Sequence, residues 1–129
     1  MNKYHNRKVS CDGHIFDSKH EAHRYCELRL LLNAGEISDL RLQVPFELIP
    51  AQFAETGEKY TRGSKAGKPK MKCVERAVKY IADFVYIDNA SGETVVEDAK
   101  GYTGGGAYGI FKIKRKLMLY RHGIKIKEV

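Results

Sequence analysis

The stretch that decides the fold is YIADFVYIDNASGETVVEDAKG, residues 80–101. Two apolar runs flank the turn-forming residues 88–92, which predicts two short strands joined as a hairpin. Asp83 lies in the first run, and Asp98-Ala99-Lys100 ends the second. Residues 80–99 hold five acids and no Lys or Arg, although the whole chain is basic. An acidic island of this kind is where a divalent cation can bind while phosphates gather around it.

The composition describes one globular domain, 1–129, with a net charge of +7 from 23 basic and 16 acidic side chains. This charge predicts a polyanionic partner, without separating DNA, RNA and a membrane surface. Residues 59–79 carry eight basic side chains against one acid, and residues 99–127 carry eight against none. No apolar run reaches the roughly 20 residues needed to cross a bilayer, and no signal-peptide pattern is present, so we expect a cytoplasmic protein.

The first half of the chain predicts a hairpin around Asp12-Gly13, a helix and a strand. Ser18-x-x-Glu21 is a capping box that starts the helix, and Gly35 is placed to end it. Glu21 shares the helix face of the apolar positions, which are Tyr25, Leu28 and Leu32. The alternating residues 40–49 predict a half-buried strand whose even-numbered side chains share one face, and Pro45 indicates an edge or a bulge.

The second half predicts a loop, two strands, a helix and a last strand. Residues 54–72 are rich in Gly, Lys, Thr and Ser and predict a long mobile basic loop. Strands follow over 79–87 and 94–100, then a glycine-rich connector over 101–109. The helix at about 108–121 is predicted to bury Ile110, Ile113, Leu117 and Tyr120 and to expose Lys112, Arg115 and Lys116. A last strand is predicted over 124–129.

Strand parity assigns the acids of the island to two faces. Asp98 and Lys100 project to one face and Glu97 to the other, because side chains alternate along a strand. Asp83 lies beside Asp98 if the two strands pair. Two such carboxylates offer oxygen ligands for Mg²⁺, and the lysine can orient or deprotonate water or stabilise phosphate charge. The alternative is that both acids cap turns or pair with Lys100 on a solvated face, although carboxylates amid apolar strands are costly there.

Asp83 followed by Glu97-Asp98-Ala99-Lys100 resembles the motif of the PD-(D/E)XK nuclease superfamily, which includes restriction endonucleases and Holliday-junction resolvases. The wider pattern resembles a phage-associated family of unknown function within it. The matching segments are FDSKHEA (16–22), YIADF (80–84), VEDAKG (96–101) and KIKRK (112–116). Ala82 stands where the superfamily name has proline. The resemblance implies an α/β fold with a restriction-endonuclease-like αβββαβ core, a mixed central sheet flanked by helices.

The resemblance also implies roles for the site residues. Asp83, Asp98 and Glu21 would bind Mg²⁺ or Mn²⁺ together with the Ala99 carbonyl, and Lys100 would be the catalytic lysine. For Glu21 the alternative is a capping role alone, and Glu97 would support the ligands or lie in solvent.

The implied activity is a metal-dependent DNA endonuclease that hydrolyses phosphodiester bonds in the bacterial host cytoplasm. We expect it to be structure-selective and to act in phage recombination or replication, because the small domain has no recognisable target-reading module. Such enzymes commonly work as homodimers, although the sequence shows no specific dimer interface. The alternatives are a non-catalytic nucleic-acid-binding protein on the same fold and an RNA-cleaving nuclease. The acid-free basic run near the C-terminus favours phosphate contact. The candidate nucleic-acid-binding residues are Lys112, Lys114, Arg115, Lys116 and Arg62.

Two other signals are weaker. The three cysteines form no Cys-x-x-Cys pair, which indicates reduced thiols. A zinc site from Cys11, His14, His20, His23 and Cys26 would lack a second Cys pair, so surface histidines and a buried thiol are favoured. Gly104-Gly105-Gly106 lacks the Gly-Lys-Ser/Thr ending of a nucleotide-binding P-loop.

Overall fold

A mixed four-stranded sheet between two helices forms the centre of the molecule. The computed structural model describes residues 8–100 and 105–129. The elements in chain order are β1 (Val9–Cys11), β2 (His14–Phe16), α1 (Lys19–Asn33), β3 (Ile37–Ile49), β4 (Gln52–Lys59), β5 (Pro69–Glu75), β6 (Val78–Asp88), β7 (Thr94–Asp98), α2 (Gly105–His122) and β8 (Lys127–Glu128). Neither helix in this part of the chain is long and apolar enough to cross a membrane.

The central sheet has the strand order β3-β6-β7-β8. β6 pairs antiparallel with both β3 and β7, while β7 and β8 run parallel. The predicted hairpin is confirmed, since Phe84 lies opposite Glu97 and Val85 opposite Val96. The predicted edge position of Pro45 is also confirmed, because β3 is an outer strand of this sheet. The helices and the mixed sheet confirm the α/β class.

Local sequence signals set the ends of α1. The Ser18 hydroxyl accepts a hydrogen bond from the Glu21 backbone N–H at 3.1 Å, as the capping box predicts. At the other end Gly35 has φ +76°, and its N–H donates to the Leu32 carbonyl. The Glu36 N–H donates to the Leu31 carbonyl, which completes a Schellman motif. A similar positive-φ turn at Asp12 (φ 54°) and Gly13 (φ 81°) joins β1 to β2.

Each face of the sheet carries its own hydrophobic cluster. α1 packs on one face with Phe16, Phe84 and Tyr86, and α2 packs on the other with Tyr80 and Val85. The α1 cluster also contains Ala22, Tyr25, Leu28 and Ile37, and the α2 cluster Leu48, Ala82, Val96, Phe111, Met118 and Ile126. The sheet is therefore covered on both sides.

The apolar pattern of β3 and β6 changes face at one level of the sheet. The prediction that the even-numbered residues of 40–49 share one face is wrong. Leu42 packs in the α1 cluster and Val44 in the α2 cluster, and Gln43 between them has φ 52°. A left-handed residue interrupts the alternation, at a cost of about 1–2 kcal/mol for a side chain other than glycine. On β6, Ala82 and Phe84 divide between the clusters in the same way, on either side of Asp83.

The buried face of α2 differs from the prediction. Phe111 and Met118 are the buried side chains, whereas Ile110, Ile113 and Tyr120 are 59%, 60% and 90% exposed. Leu117 is half-buried, and Lys112 and Lys116 are exposed as predicted. The helix is apolar on two sides, and the aromatic Phe111 is the residue that fills the space above Tyr80. α2 also begins at Gly105, so the predicted connector is helical from there, and residues 101–104 lie outside the described residues.

The predicted mobile loop at 54–72 is wrong for most of its length. β4 and β5 form an antiparallel ribbon, with Phe53 opposite Cys73 and Glu55 opposite Met71. The ribbon pairs with no other described strand. Its strands are held by backbone pairing with little burial, so the apolar anchors that normally identify a strand are missing from the sequence.

One buried ion pair fastens α1 to the sheet. The Glu97 side chain is fully buried and receives two hydrogen bonds from Arg24, at 2.8 Å from Nε and 2.7 Å from Nη2. The Tyr86 hydroxyl donates to the same carboxylate. Glu97 thus projects to the face opposite Asp98, as predicted, but it is buried and not solvated.

Removing Arg24 would leave this carboxylate buried with no hydrogen-bonded counter-ion and with only the exposed Lys127 ammonium nearby, 4.0 Å from Glu97 Oε2. We expect Arg24→Ala to lower the free energy of unfolding by about 3–5 kcal/mol, measured by urea denaturation. The control is Arg29→Ala, because Arg29 makes only an exposed ion pair with Asp12 at 3.5 Å. That pair is worth less than about 1 kcal/mol. Equal losses in the two variants would show that the buried pair does not fasten the helix.

Candidate functional site

The end of the β6–β7 hairpin brings Asp83 and Asp98 together. β7 ends at Asp98, one residue past Glu97, which pairs with Phe84 of β6. The Ala99 N–H donates to Asp83 Oδ2 at 2.9 Å, which fixes the backbone of the Asp98-Ala99-Lys100 segment against Asp83. Asp98 is buried, and its Oδ2 accepts a 2.6 Å hydrogen bond from the Tyr80 hydroxyl.

Lys100 lies on the same face as Asp98, as strand parity predicts. Its Nζ is 2.8 Å from Asp98 Oδ1 and 3.8 Å from the centroid of the Phe111 ring. The ring of α2 and the carboxylate of β7 therefore hold the ammonium group between them. Such a cation–π contact limits the positions available to a flexible lysine side chain.

Glu21 reaches the same place from the first turn of α1. It is 7% exposed, on the helix face of Tyr25, as its helical phase predicts. The Gln43 side-chain amide donates to Glu21 Oε1 at 3.1 Å and to Asp83 Oδ1 at 3.3 Å. Gln43 is the residue at which β3 changes face. The backbone irregularity thus places an uncharged donor between two carboxylates.

The site carries more negative charge than its surroundings stabilise. Burial, followed by the negative charges of Asp83, Asp17 and Asp98, raises the pKa of Glu21 from 4.5 to about 7. Burial also raises the pKa of Asp83, and the Asp98 charge raises it further, against the effect of the Ala99 N–H. Both shifts have the cause expected when carboxylates share a poorly solvated site.

A cavity of about 280 Å³ opens beside the Asp98–Lys100 pair. β7 ends at Asp98, so the first half of β6 has no partner on that side, and α2 forms the opposite wall. Three lysines line this cavity, Lys79 from β6, Lys100 and Lys114 from α2. Tyr80 and Phe111 are also in its wall. Because the cations converge next to buried acids, the cavity can accept an anionic group that also binds a metal.

The donor set has the chemistry of a Mg²⁺ or Mn²⁺ site. Glu21, Asp83 and Asp98 offer hard carboxylate oxygens, and their mutual repulsion would be relieved by a divalent cation. As the side chains stand, no group of three or more His, Cys, Asp or Glu in residues 8–100 and 105–129 is arranged to hold a metal ion. Gln43 and Lys100 occupy the carboxylate oxygens instead. A bound cation would have to displace these donors.

The predicted nucleic-acid-binding residues are distributed over two regions. Lys114 lines the cavity, while Lys112 and Lys116 are exposed on the same helix. Arg115 pairs with Glu128 of β8 at 3.1 Å. Arg62 lies far along the chain from this helix, in the turn of the β4–β5 ribbon.

The side chains considered for zinc do not form a zinc site in the described residues. Cys11 and Cys26 meet with their sulfurs 3.0 Å apart, and both are free thiols. His14 packs on the Tyr25 ring, and His20 Nε2 donates a hydrogen bond to the Val129 carbonyl at 2.8 Å. These side chains have structural contacts that account for them.

Sequence reasoning missed several residues that hold the site in place. The position of the Gln43 side chain depends on a positive φ that no local sequence pattern encodes. The place of Lys79 in the cavity wall depends on where β7 ends. Tyr80 and Tyr86 lie in the first apolar run of the hairpin, where the pattern assigns them no polar role. Their hydroxyl groups donate to Asp98 and Glu97, and the usable signal was a tyrosine placed at alternate positions in a strand that faces acids.

The raised pKa of Glu21 predicts a pH-dependent stability in chelator-containing buffer. The folded protein holds a proton on Glu21 that the unfolded chain releases between pH 4.5 and about 7. The free energy of unfolding therefore falls as the pH rises through that window, by up to about 3 kcal/mol. Glu21→Gln should remove this contribution and stabilise the protein at pH 8 but not at pH 4.5. The control is Glu36→Gln, which changes an exposed acid. If the two variants show the same pH profile, Glu21 has an ordinary pKa.

Comparison with known proteins gives a family and no function. No curated protein and no solved structure matches the chain. One family model, described as "Protein of unknown function (DUF1064)", matches residues 1–128. The chain therefore belongs to the DUF1064 family of proteins of unknown function.

Proposed function

We propose that this protein is a Mg²⁺- or Mn²⁺-dependent endonuclease that hydrolyses phosphodiester bonds of DNA. The observation that carries the proposal is a set of three acids beside a cavity that contains lysines. Gln43 bridges Glu21 and Asp83, and Asp98 pairs with Lys100 in the wall of that cavity. A non-catalytic nucleic-acid-binding protein has no need to bury acids where it binds a polyanion, because each acid repels phosphate.

The cation would be held by Glu21, Asp83 and Asp98, with the Ala99 carbonyl as the predicted backbone ligand. When bound, Mg²⁺ supplies positive charge to the phosphate oxygens and lowers the pKa of a coordinated water. The protein's own part is to hold the carboxylates rigidly. Tyr80 fixes Asp98, and the Ala99 N–H fixes Asp83.

The lysines bind and orient the phosphate. Lys79 and Lys114 line the cavity on two walls and would attract a phosphodiester into it. Lys100, an ammonium with three donor hydrogens and no acceptor, can orient the attacking water or stabilise negative charge on the phosphate. Lys112 and Lys116, exposed on α2, would contact the backbone of the same nucleic acid.

The arrangement of elements also supports the proposal. α1, β3, β6, β7, α2 and β8 follow the order helix, strand, strand, strand, helix, strand, which is the order implied for a restriction-endonuclease-like core. The acids lie on the first helix and on the two strands that the motif requires. This order, with the β4–β5 ribbon inserted between β3 and β6, and the placement of the acids support the proposal, and we extend the resemblance to the superfamily's activity.

Substitution in the Asp98–Lys100 pair should remove cleavage without removing binding. We expect Asp98→Asn and Lys100→Ala each to lower the Mg²⁺-dependent cleavage rate of DNA by roughly 10²–10⁴-fold. In chelator, Asp98→Asn should bind DNA as tightly as the wild type or more tightly, because a negative charge is lost. The measurements are gel-based cleavage and fluorescence anisotropy on single-stranded, duplex and four-way-junction DNA and on matched RNA.

Lys125→Ala provides a matched control, since it removes one exposed lysine that does not line the cavity. It should cleave at the wild-type rate. Cleavage that survives both Asp98→Asn and Lys100→Ala in folded protein would place the active site elsewhere. Failure of the wild type to cut any of these substrates with either metal would contradict the enzyme assignment, and faster cleavage of RNA would contradict the choice of DNA.

A further inference from the structure

The β4–β5 ribbon is a basic arm that contributes no residue to the proposed active site. Between residues 59 and 72 it carries six basic side chains and no acid. These are Lys59, Arg62, Lys65, Lys68, Lys70 and Lys72. Of these six side chains, only Lys70 lies within ion-pair distance of a carboxylate in the described part of the chain, with its Nζ 3.9 Å from Glu58. Uncompensated cations at this density repel each other, so a polyanion that neutralises them would bind favourably.

The ribbon stands free of the sheet and the helices. Every residue of β4 and β5 is exposed except Ala54 and Lys70, which are half-buried. The strands pair only with each other in the described structure. A two-stranded ribbon that packs on no other element is marginally stable in water, so a bound partner would stabilise it.

The tip of the ribbon is an ordered turn. The Tyr60 N–H donates to the Lys68 carbonyl at 3.0 Å, and the Gly67 N–H donates to the Tyr60 carbonyl at 2.8 Å. The ammonium groups of Lys65 and Lys70 lie 5.7 and 5.6 Å from the centroid of the Tyr60 ring. These contacts present the tip cations from a defined turn, and so reduce the entropy lost on binding.

The ribbon begins next to the cavity. β5 ends at Glu75, and Lys79 in the cavity wall follows four residues later, which limits their separation to roughly 13 Å at about 3.3 Å per residue. The ribbon then extends for about 26 Å, the length of eight strand residues. One helical turn of B-form DNA spans about 34 Å. A duplex with one phosphate in the cavity can therefore reach the ribbon within about one turn.

We propose that the β4–β5 ribbon is a second DNA-binding element, which enters the major groove of B-form duplex DNA beside the cleavage site. Two strands about 5 Å apart fit a groove about 12 Å wide, whereas the deep and narrow major groove of A-form RNA excludes them. This inference rests on the proposed function for the choice of DNA. It goes further in assigning the ribbon to double-stranded substrate.

The test uses a triple variant of the 129-residue chain, Arg62→Ala, Lys68→Ala and Lys72→Ala. All three side chains are exposed and outside every described ion pair, so the fold should be retained, which circular dichroism checks. The matched control is Arg29→Ala, Arg41→Ala and Lys125→Ala. Both triples lower the net charge by three, from +7 to +4.

Binding to a 30-base-pair DNA duplex is measured by fluorescence anisotropy in chelator at several salt concentrations, with a duplex RNA of the same sequence beside it. Each lost phosphate contact lowers the slope of log affinity against log salt by about 0.9. With duplex DNA, the slope of the ribbon triple should therefore be smaller than that of the wild type by about 2–3 units. With duplex RNA, the slope of the ribbon triple should fall no more than that of the control triple. An unchanged slope on DNA, or an equal loss in the two triples, would overturn the proposal. An equal loss on DNA and RNA would also overturn it.

The two proposals fail separately in this design. Binding in chelator does not require cleavage, so a ribbon effect on duplex DNA stands even if the wild type cuts nothing. A wild type that cuts DNA while the ribbon triple binds normally would leave the active site intact and remove only the ribbon assignment.

Discussion

The burial of carboxylates at one end of the β6–β7 hairpin is the constraint on which the rest of the structure depends. Glu97 and Asp98 are adjacent in the chain and both are buried, on opposite faces of the sheet. Each needs its own compensation, because a buried charge without a partner costs several kcal/mol. Arg24 and Tyr86 supply it for Glu97, and Lys100 and Tyr80 supply it for Asp98. One acid thereby fastens the helix, and the other remains available for chemistry.

The change of face at Gln43 and Asp83 explains how an acid from α1 joins this pair. If β3 and β6 kept strict alternation, their even-numbered apolar side chains would all turn to one helix. The left-handed backbone of Gln43 divides them between two clusters and turns the Gln43 amide toward Glu21 and Asp83. Backbone strain concentrated at a functional site is common in proteins, since the site and not the fold requires it.

The sequence predicted best what short-range chemistry determines. The cap at Ser18, the positive-φ glycine at 35 and the turn at 88–92 each depend on a few neighbouring residues, and all three are present. The orientation of α2 could not be predicted in the same way, because the helix offers two apolar sides and tertiary packing selects Phe111 and Met118. The ribbon was missed since it buries almost nothing, and hydrophobic periodicity identifies only what is buried. In the site, strand parity placed Asp98 and Lys100, but nothing in the pattern indicated Gln43.

The mutual repulsion of the three carboxylates underlies the catalytic proposal, and metal binding to them can be examined without assaying activity. Anomalous diffraction from crystals soaked in Mn²⁺ locates the metal directly. We expect an anomalous peak in contact with the carboxylates of Glu21, Asp83 and Asp98, with the Gln43 amide and the Lys100 ammonium displaced from them. A peak elsewhere in the molecule, or no peak at millimolar Mn²⁺ while these carboxylates keep their present partners, would contradict it.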